Sequence, residues 1–114
     1  MKQCPKRGDI IIVDLNPTIG HEQSGLRPAV VLSFDIFNER IGLAFIAPIT
    51  SKIKGNPFEV SIDSAKTSGV ALAHHVRMID FVARKAKIVD KVSHDTIVKI
   101  ISKVEPTYVD RSVF

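Results

Sequence analysis

Four side chains that can bind phosphate or transfer protons lie close together in the segment NPTIGHEQSGLRP, residues 16–28. They are His21, Glu22, Gln23 and Arg27, and two glycines and two prolines stand among them. A turn requires only the glycines and prolines, so the polar side chains need another explanation. Their chemistry predicts a site for phosphate binding or proton transfer, and the alternative is a solvated loop tip without function.

Arg27 is expected to be held more firmly than the other three. The residue before a proline avoids helical backbone, so Arg27, which precedes Pro28, is predicted to be extended and to begin a strand. A strand is a stiff support for a guanidinium group that binds two phosphate oxygens. In the alternative interpretation, Arg27 is a solvated residue or half of a surface ion pair.

A second group of polar side chains occurs in APITSKIKGNPFEV, residues 47–60. It consists of Thr50, Ser51, Lys52 and Lys54, at the predicted end of one strand and in the connection that follows. Hydroxyl groups can donate hydrogen bonds to a phosphodiester, and lysines can act on it as point charges. A structural role is the alternative, because threonine is common in strands and lysine decorates turns.

The histidines do not predict a metal site. His21, His74, His75 and His94 lack the spacing of metal ligands, and the chain has no pair of cysteines. His74 and His75 are adjacent on a predicted strand, where neighbouring side chains point to opposite faces. We therefore expect one to point inward and the other to face a groove, where it could stack on or bond to a base. Nucleotide-binding glycine motifs are absent too, so no cofactor is predicted.

The composition predicts one basic domain. The chain, residues 1–114, has the length of a single domain, and a hydrophobic content of 45% can supply one core. Sixteen Lys and Arg against twelve Asp and Glu give a net charge of +4 at pH 7. No block of five like charges occurs, so a positive surface for a polyanion must be assembled by folding.

The sequence favours a cytoplasmic location. No apolar run approaches the roughly 18 residues of a membrane span, and the N-terminus has no apolar segment typical of a signal peptide. Cys4 is the one cysteine, so it cannot form a disulfide within the chain, which fits a reducing compartment. No contact with a membrane is expected.

Five segments rich in Val, Ile and Phe predict the strands that must position these residues. They are residues 8–15, 27–34, 41–50, 57–62 and 69–81. Turn-forming residues bound each segment and no long helical pattern lies between them, which predicts a curled antiparallel sheet or small barrel.

Residues 93–106 predict one clear helix at the C-terminal side of the sheet. Ile97, Ile100, Ile101 and Val104 recur at helical spacing, Ser93 can cap the start, and Pro106 stops the run. A short helical turn is expected at residues 35–40. The helix is predicted to pack on the sheet and to complete one core.

Considered together, these features resemble the MazF/PemK family of toxin endoribonucleases. The similarity is carried by RGDIIIVDLNPTIGHEQSGLRPAVVLS, APITSKIKGNPFEV, GVALAHHVRMIDF and the closing helix, in the family's order. The resemblance implies a mainly β fold, an SH3-like barrel of the PemK/CcdB type with added helices, paired into a homodimer. It also implies an enzyme that cuts single-stranded RNA at short sequences without a metal and that a cognate antitoxin inhibits.

The resemblance also assigns roles to particular positions. In the MazF branch the catalytic pair is an Arg before the proline that opens the second strand and a Thr late in the third, matched here by Arg27 and Thr50. The loop Glu of that branch is matched by Glu22. The PemK branch uses an Arg and an Asp on a later strand, where this chain has Leu72 and His74. This departure favours MazF-like chemistry over a general-base role for residue 74.

The residues themselves are compatible with a metal-free reaction. RNA can be cut by its own 2′-hydroxyl, which attacks the adjacent phosphorus and leaves a 2′,3′-cyclic phosphate and a 5′-hydroxyl. Arg27 can bind the non-bridging oxygens, and Thr50 can donate one further hydrogen bond. Arginine is a poor base because its pKa is above about 12, so the predicted base is Glu22 or His21. His21, in GHEQ, is also where the loop resembles the PemK branch.

The remaining candidates are predicted to bind RNA: His21, Gln23, Ser51, Lys52, Lys54, His74 and His75. The same groove is expected to attract the acidic C-terminal segment of a MazE-like antitoxin, disordered until it binds. Operator DNA would be reached only indirectly, through the antitoxin.

Two other functions fit the same fold. A CcdB-like gyrase inhibitor would be expected to carry a Trp-containing C-terminus, whereas this chain has no Trp and ends in DRSVF. A non-catalytic RNA-binding barrel would keep the positive groove and cut nothing.

Overall fold

A computed structural model describes residues 4–23 and 25–110 and contains seven strands and two α-helices in that part of the chain. The strands are β1 (Asp9–Asp14), β2 (Leu26–Val31), β3 (Ala44–Thr50), β4 (Glu59–Asp63), β5 (Ser68–Leu72), β6 (Arg77–Ile79) and β7 (Lys87–Lys91). The helices are α1 (Asp35–Ile41) and α2 (His94–Val104), and a short 3-10 helix (Glu105–Thr107) follows. The terminal RSVF and residues 1–3, which entered the gyrase and signal-peptide predictions, lie outside the described residues.

The strands form one antiparallel sheet in the order β4-β5-β3-β2-β1-β7, with β6 paired to β3. On one side β3 pairs with β2. On its other side it pairs first with β6 and then, at Ile49 and Thr50, with β5. Because β3 changes partners along its length, the sheet curls. The predicted curled antiparallel sheet with a C-terminal helix is confirmed.

Side-chain hydrogen bonds link the two ends of this strand order, β4 and β7. Asp90 on β7 accepts hydrogen bonds from Ser64 Oγ at 2.7 Å and from the backbone N–H of Lys66 at 2.9 Å. Both donors lie in the turn between β4 and β5. The curl is therefore closed at this point by a carboxylate rather than by a further ladder between strands.

Strand β1 is apolar without alternation because both of its faces are buried. Ile10 faces a cluster that includes Val30 and the α2 residue Ile100, whereas Ile11 faces a second cluster that includes Ile46. Burying each such side chain contributes about 1.5–3 kcal/mol to stability. The sheet is thus fixed on both faces, which gives its strand ends a rigid support.

Both predicted helices are present. Ser93 caps α2, as its side chain accepts a hydrogen bond from the backbone N–H of Thr96 at 3.3 Å. The buried face of α2 consists of Ile97, Ile100 and Val104, and Pro106 lies in the 3-10 turn that ends the helical run. The turn expected at residues 35–40 is α1, which ends at Gly42 with left-handed backbone.

The single strand predicted over residues 69–81 is wrong, because the chain turns between β5 and β6. The backbone N–H of Ala73 donates to the Phe58 carbonyl at 3.0 Å, and that of His75 donates to the Leu72 carbonyl at 3.1 Å. His74 and His75 lie in this turn, so the expectation that they point to opposite faces of a strand is also wrong. Strand β7 was not predicted, since KIVDK is short, partly exposed and rich in charge.

Candidate functional site

The register of the sheet brings two of the predicted site residues together. Arg27 on β2 is paired with Val13 on β1, and Ala29 is paired with Pro48 on β3. Continuing the second pairing by two residues places Arg27 across from Thr50, with both side chains on the same face. That face also carries the second core cluster. The two residues therefore extend the buried face of the sheet beyond its core.

A cavity of about 300 Å³ lies at this position. Its walls contain most of the predicted site residues together with three that were not singled out for it: His21, Gln23, Arg27, Thr50, Lys52, Lys54, His74 and His75, with Asn56, Glu59 and Leu72. Three positively charged side chains, Arg27, Lys52 and Lys54, line the cavity, against one carboxylate, Glu59. Such a site suits an anion.

Thr50 is held in an orientation that leaves its hydroxyl proton available. The residue is only 5% exposed, and its Oγ1 accepts a hydrogen bond from the backbone N–H of Lys52 at 3.1 Å. A hydroxyl that accepts through one lone pair can still donate its proton. Arg27 is half-buried in the same wall. The pair can thus direct a guanidinium and one O–H donor at a bound anion.

A second cavity of about 270 Å³ adjoins the first. The two share His21, Gln23, His74 and His75, and the second adds Glu22, Pro48, Val76 and Arg77. Together the cavities form a groove with the paired histidines at its middle. A chain of nucleotides needs a groove of this kind rather than a closed pocket.

Two predicted residues do not line the cavity that contains Arg27 (the Arg27 cavity). Glu22 lines the second cavity, and its Oε1 accepts a hydrogen bond from the backbone N–H of Ile19 at 2.9 Å. Ser51 is exposed and lines neither cavity. Their predicted roles in catalysis and RNA binding remain predictions.

The base of the β1–β2 loop is fixed by residues that lie far along the chain. Arg84 donates to the carbonyls of Asp14 at 2.8 Å and Asn16 at 2.6 Å, and Arg77 donates to that of Leu15 at 3.1 Å. The loop is also closed across its neck, because the Leu15 N–H donates to the Gly25 carbonyl at 2.9 Å. The loop therefore leaves the sheet in a defined direction and carries His21 and Gln23 to the cavity.

Glu59 organises the lysine-bearing loop between β3 and β4. Its two carboxylate oxygens accept from the backbone N–H groups of Lys54 and Gly55, each at 3.0 Å. This role was not predictable from the sequence, nor were those of Arg77 and Arg84, because each residue acts on backbone groups. No spacing of residue types signals such a contact.

His74 and His75 contact each other in the middle of the groove. Their ring centroids are 4.4 Å apart in an edge-to-face arrangement, and His74 also lies 5.5 Å from the Phe58 ring. Burial lowers the pKa of His75 below its usual 6.5, with further lowering by His74, Lys54 and His21, opposed by Glu22. Neutral imidazole is thus the favoured form of His75 near pH 7.

A cluster of metal ligands and a membrane-spanning helix are both absent from the described residues. In residues 4–23 and 25–110, no three His, Cys, Asp or Glu side chains are grouped so that they could hold a metal ion. Neither helix in this part of the chain has the length and apolar character needed to cross a membrane.

Comparison with known proteins places these features in context. Residues 6–107 match a protein family described as the PemK-like, MazF-like toxin of type II toxin–antitoxin systems. The endoribonuclease toxin MazF of Escherichia coli (strain K12) is 42% identical over 103 residues, which cover 90% of this chain and 93% of that protein.

Two solved structures from Deinococcus radiodurans have the same fold. MazF (Form-I) superimposes with a TM-score of 0.89 at 36% identity, covering 93% of this chain and 97% of that one. The toxin in a MazE–MazF structure (Form-II) gives a TM-score of 0.81 at 36% identity, with coverage of 93% and 96%.

Proposed function

Because the chain belongs to the PemK-like, MazF-like toxins of type II toxin–antitoxin systems, we propose that it cuts single-stranded RNA at short specific sequences without a metal ion. It is an endoribonuclease toxin, as is the curated MazF relative that it matches over nearly its whole length. The observation that supports cleavage of RNA without a metal ion is the position of Arg27 and Thr50 in one cavity with two lysines. We place its action in the cytoplasm, where messenger RNA is found.

In the proposed reaction the substrate supplies the nucleophile. The 2′-oxygen gives up its proton and attacks the adjacent phosphorus, and the bond from phosphorus to the 5′-oxygen breaks. The electron pair of that bond stays on the 5′-oxygen, which takes up a proton. The products are a 2′,3′-cyclic phosphate and a 5′-hydroxyl. Since the nucleophile is internal and Arg27 supplies positive charge, the reaction requires no metal ion or other cofactor.

Arg27 and Thr50 are proposed to stabilise the negative charge that develops on the non-bridging oxygens as the 2′-oxygen bonds to phosphorus. The guanidinium can bind two non-bridging oxygens at once, and the Thr50 hydroxyl can donate to one of them. Each such donor can contribute about 10²–10³ in rate when it is fixed in a site shielded from water. Their rigid support on two paired strands provides that fixation.

The loops around the cavity are proposed to read the RNA. Lys52 and Lys54 neutralise phosphates, while His21 and Gln23 on the opposite loop can contact bases. Ser51, on the same connection as the lysines, is proposed to donate to the backbone of the RNA. The cleaved sequence would then depend on the geometry of residues 16–26 and 51–56.

We also propose a cognate antitoxin as partner. MazF of Deinococcus radiodurans has been solved together with MazE, and this chain shares its fold. The groove carries Arg27, Lys52, Lys54 and Arg77, so an acidic antitoxin segment can compete with RNA there. Contact with operator DNA would occur only through the antitoxin. An antitoxin peptide that binds tightly and leaves RNA cleavage unchanged would exclude this competition.

A homodimer, which the family implies, is proposed to use an apolar surface beside α1. Phe34, Phe37, Phe45 and Met78 form a concave patch, and all but Phe45 are among the exposed large apolar residues. We expect Met78→Glu to shift the protein toward monomer in sedimentation equilibrium. The matched change Val98→Glu, on the exposed face of α2, should leave the association unchanged.

A cleavage assay in chelator tests the main proposal. A pool of ribo-oligonucleotides and an all-deoxy pool of the same sequences are incubated with the toxin, and the new ends are identified by mass spectrometry. We expect cleavage of the ribo pool alone, with cyclic phosphate on the 5′ fragment. Cleavage of the deoxy pool, or a strict requirement for added magnesium, would refute the mechanism.

A further inference from the structure

Two carboxylates lie near the Arg27 cavity, and backbone N–H groups engage both. Glu59 accepts hydrogen bonds from Lys54 and Gly55 through its two oxygens, each at 3.0 Å. Glu22 accepts from Ile19 at 2.9 Å and lines the second cavity instead. The carboxylate oxygens that accept these hydrogen bonds are already occupied by backbone donors. Neither group is well placed to take a proton from RNA bound at Arg27.

His75 is placed differently. Its side chain lines both cavities, it is half-buried, and its backbone is fixed by the hydrogen bond to the Leu72 carbonyl at 3.1 Å. The ring is held against that of His74 at 4.4 Å. No described residue hydrogen-bonds to the ring nitrogens of His75. Among the described residues, the lone pair of the neutral ring is therefore not engaged by a hydrogen bond.

We propose that His75 is a catalytic residue that accepts the 2′-hydroxyl proton of RNA in the cavity lined by Arg27 and Thr50, and that His74 is a positioning residue that holds its ring. This inference rests on the proposed function and names the base for it. It assigns to His75 the role that the sequence left to Glu22 or His21. His21 is exposed near the tip of the β1–β2 loop, whereas His75 lies on a turn fixed by two strands.

The charges around His75 agree with this role. Burial is the main cause of its lowered pKa, followed by the neighbouring His74; Glu22 acts in the opposite direction, and Lys54 and His21 lower it further. The charged groups that line the same groove from other elements are Arg27 on β2, Lys52 after β3, Glu59 on β4 and Arg77 on β6. A neutral imidazole at pH 7 has the free lone pair that a base requires.

The step balances without any added reagent. The imidazole takes the proton of the 2′-hydroxyl as the 2′-oxygen bonds to phosphorus and the 5′-oxygen departs with its electron pair. The 5′-oxygen takes up one proton from water, and the imidazolium releases one to water. His75 therefore returns to its neutral form, and no proton is gained or lost over the cycle.

The first test compares His75→Gln with His94→Gln, a change at the exposed start of α2. We expect the His75 variant to lose at least about a hundredfold in kcat, the usual contribution of a general base. Its Kd for an all-deoxy oligonucleotide should stay within about threefold of the wild-type value, because binding depends mainly on phosphate contacts. The His94 variant should match the wild-type protein in both measurements.

The second test leaves His75 in place and changes its neighbours. Cleavage should rise with pH through the pKa of His75 and level off above it, since the protonated ring cannot accept a proton. His74→Gln removes a group that lowers this pKa, so the rise should move to higher pH. Glu22→Gln removes a group that raises it, so the rise should move to lower pH. If His75 had only a structural role, these changes at its neighbours would not be expected to move the rise in this way.

The outcomes separate the two proposals. If the wild-type protein does not cleave RNA, the proposed function fails. If it cleaves and His75→Gln retains the wild-type rate and pH profile, the function stands and the assignment of His75 is wrong. A folded Glu22→Gln or His21→Gln variant that loses the low-pH rise while His75→Gln keeps it would likewise transfer the role to that residue.

Discussion

The proposed catalytic role of Arg27 depends on its strand neighbours, which place it across the sheet from the buried hydroxyl group of Thr50. Carrying the β2–β3 pairing two residues further aligns it with Thr50, whose Oγ1 is already engaged by the Lys52 N–H. In the proposed mechanism, the guanidinium therefore acts beside a hydroxyl group whose oxygen is already held in place before RNA binds. Catalytic groups that need no reorganisation at the moment of reaction are those with the largest effects on rate.

Arg27→Ala is expected to lower kcat by at least about 10² with little loss of RNA binding, because the group acts on charge that develops during the reaction. Arg27→Lys should restore only part of the rate, since an ammonium keeps the charge and lacks the two-pronged geometry. Single-turnover cleavage of RNA and binding to an all-deoxy oligonucleotide measure the two effects. An alanine variant with near wild-type turnover would contradict the assignment.

Lys54 should contribute to binding rather than to turnover. We expect Lys54→Ala to weaken RNA binding and to reduce the slope of log Kd against log salt by about one unit, as for one lost phosphate contact. Lys99→Ala, on the exposed face of α2, is the control with the same change in net charge. If both variants have the wild-type slope, Lys54 makes no phosphate contact.

At the residue scale, the types of the site residues were predictable and their partners were not. The segment around His21 and Arg27 carried chemistry that a turn does not need, and both residues line the same cavity as Thr50. The hydrogen bond that Glu22 accepts from the Ile19 N–H depends on the conformation of the loop. Chemistry at a residue can be inferred from its type, whereas its free lone pairs depend on the folded backbone.

At the element scale, the close approach of β5 to β3 controls the position of Thr50. Gly69 on β5 has φ +129°, and a Cβ at this residue would lie 2.5 Å from the Thr50 carbonyl oxygen. No real Cβ tolerates that separation from backbone. The glycine thus allows the two strands to approach each other at Thr50, the proposed catalytic threonine, where β3 ends.

Gly69→Ala is expected to destabilise the protein by about 2 kcal/mol or more, through strain at positive φ and displacement of Thr50. Cleavage should fall in the variant even where it remains folded. Gly42→Ala is the matched control, because Gly42 also has positive φ, +78°, but nothing lies within 4 Å of the added Cβ. Urea unfolding and kcat, measured on both variants, separate the clash from the backbone strain.

The elements themselves were only partly predictable. Apolar runs identified β1 to β5, and α2 followed from its helical spacing and its Ser93 cap. The turn between β5 and β6 contains no Gly or Pro. It depends on backbone hydrogen bonds from Ala73 to Phe58 and from His75 to Leu72. Strand β7 depends on pairing with β1, since its own sequence is weakly apolar. Both features are consequences of tertiary contacts.

At the scale of the whole molecule, Asp90 closes the curled sheet. Its carboxylate accepts from Ser64, Lys91 and Lys66, and these bonds lower its pKa from 3.8 to about 2. The side chain joins the terminal strand of one end of the sheet order to the β4–β5 turn at the other. Closure therefore depends on the ionised form of one group.

This arrangement predicts an acid-sensitive part of the stability. A carboxylate with a lowered pKa in the folded state stabilises the protein above about pH 3.8, and the contribution is lost as the pH falls toward 2. Asp90→Ala should therefore lower the urea midpoint at pH 7 and reduce its decline on acidification. Asp63→Ala, an exposed carboxylate on β4, serves as the control. Equal acid dependence in the Asp90 variant and the wild-type protein would contradict the role.

The clamp formed by Arg77 and Arg84 on the carbonyls of residues 14–16 has a practical consequence. It holds the arm of the β1–β2 loop that follows β1, without involving the residues at the loop's tip. Sequences at the loop tip can therefore be exchanged, or grafted from other toxins, while the base of the loop stays unchanged. A library of such grafts offers a route to endoribonucleases directed at other RNA sequences.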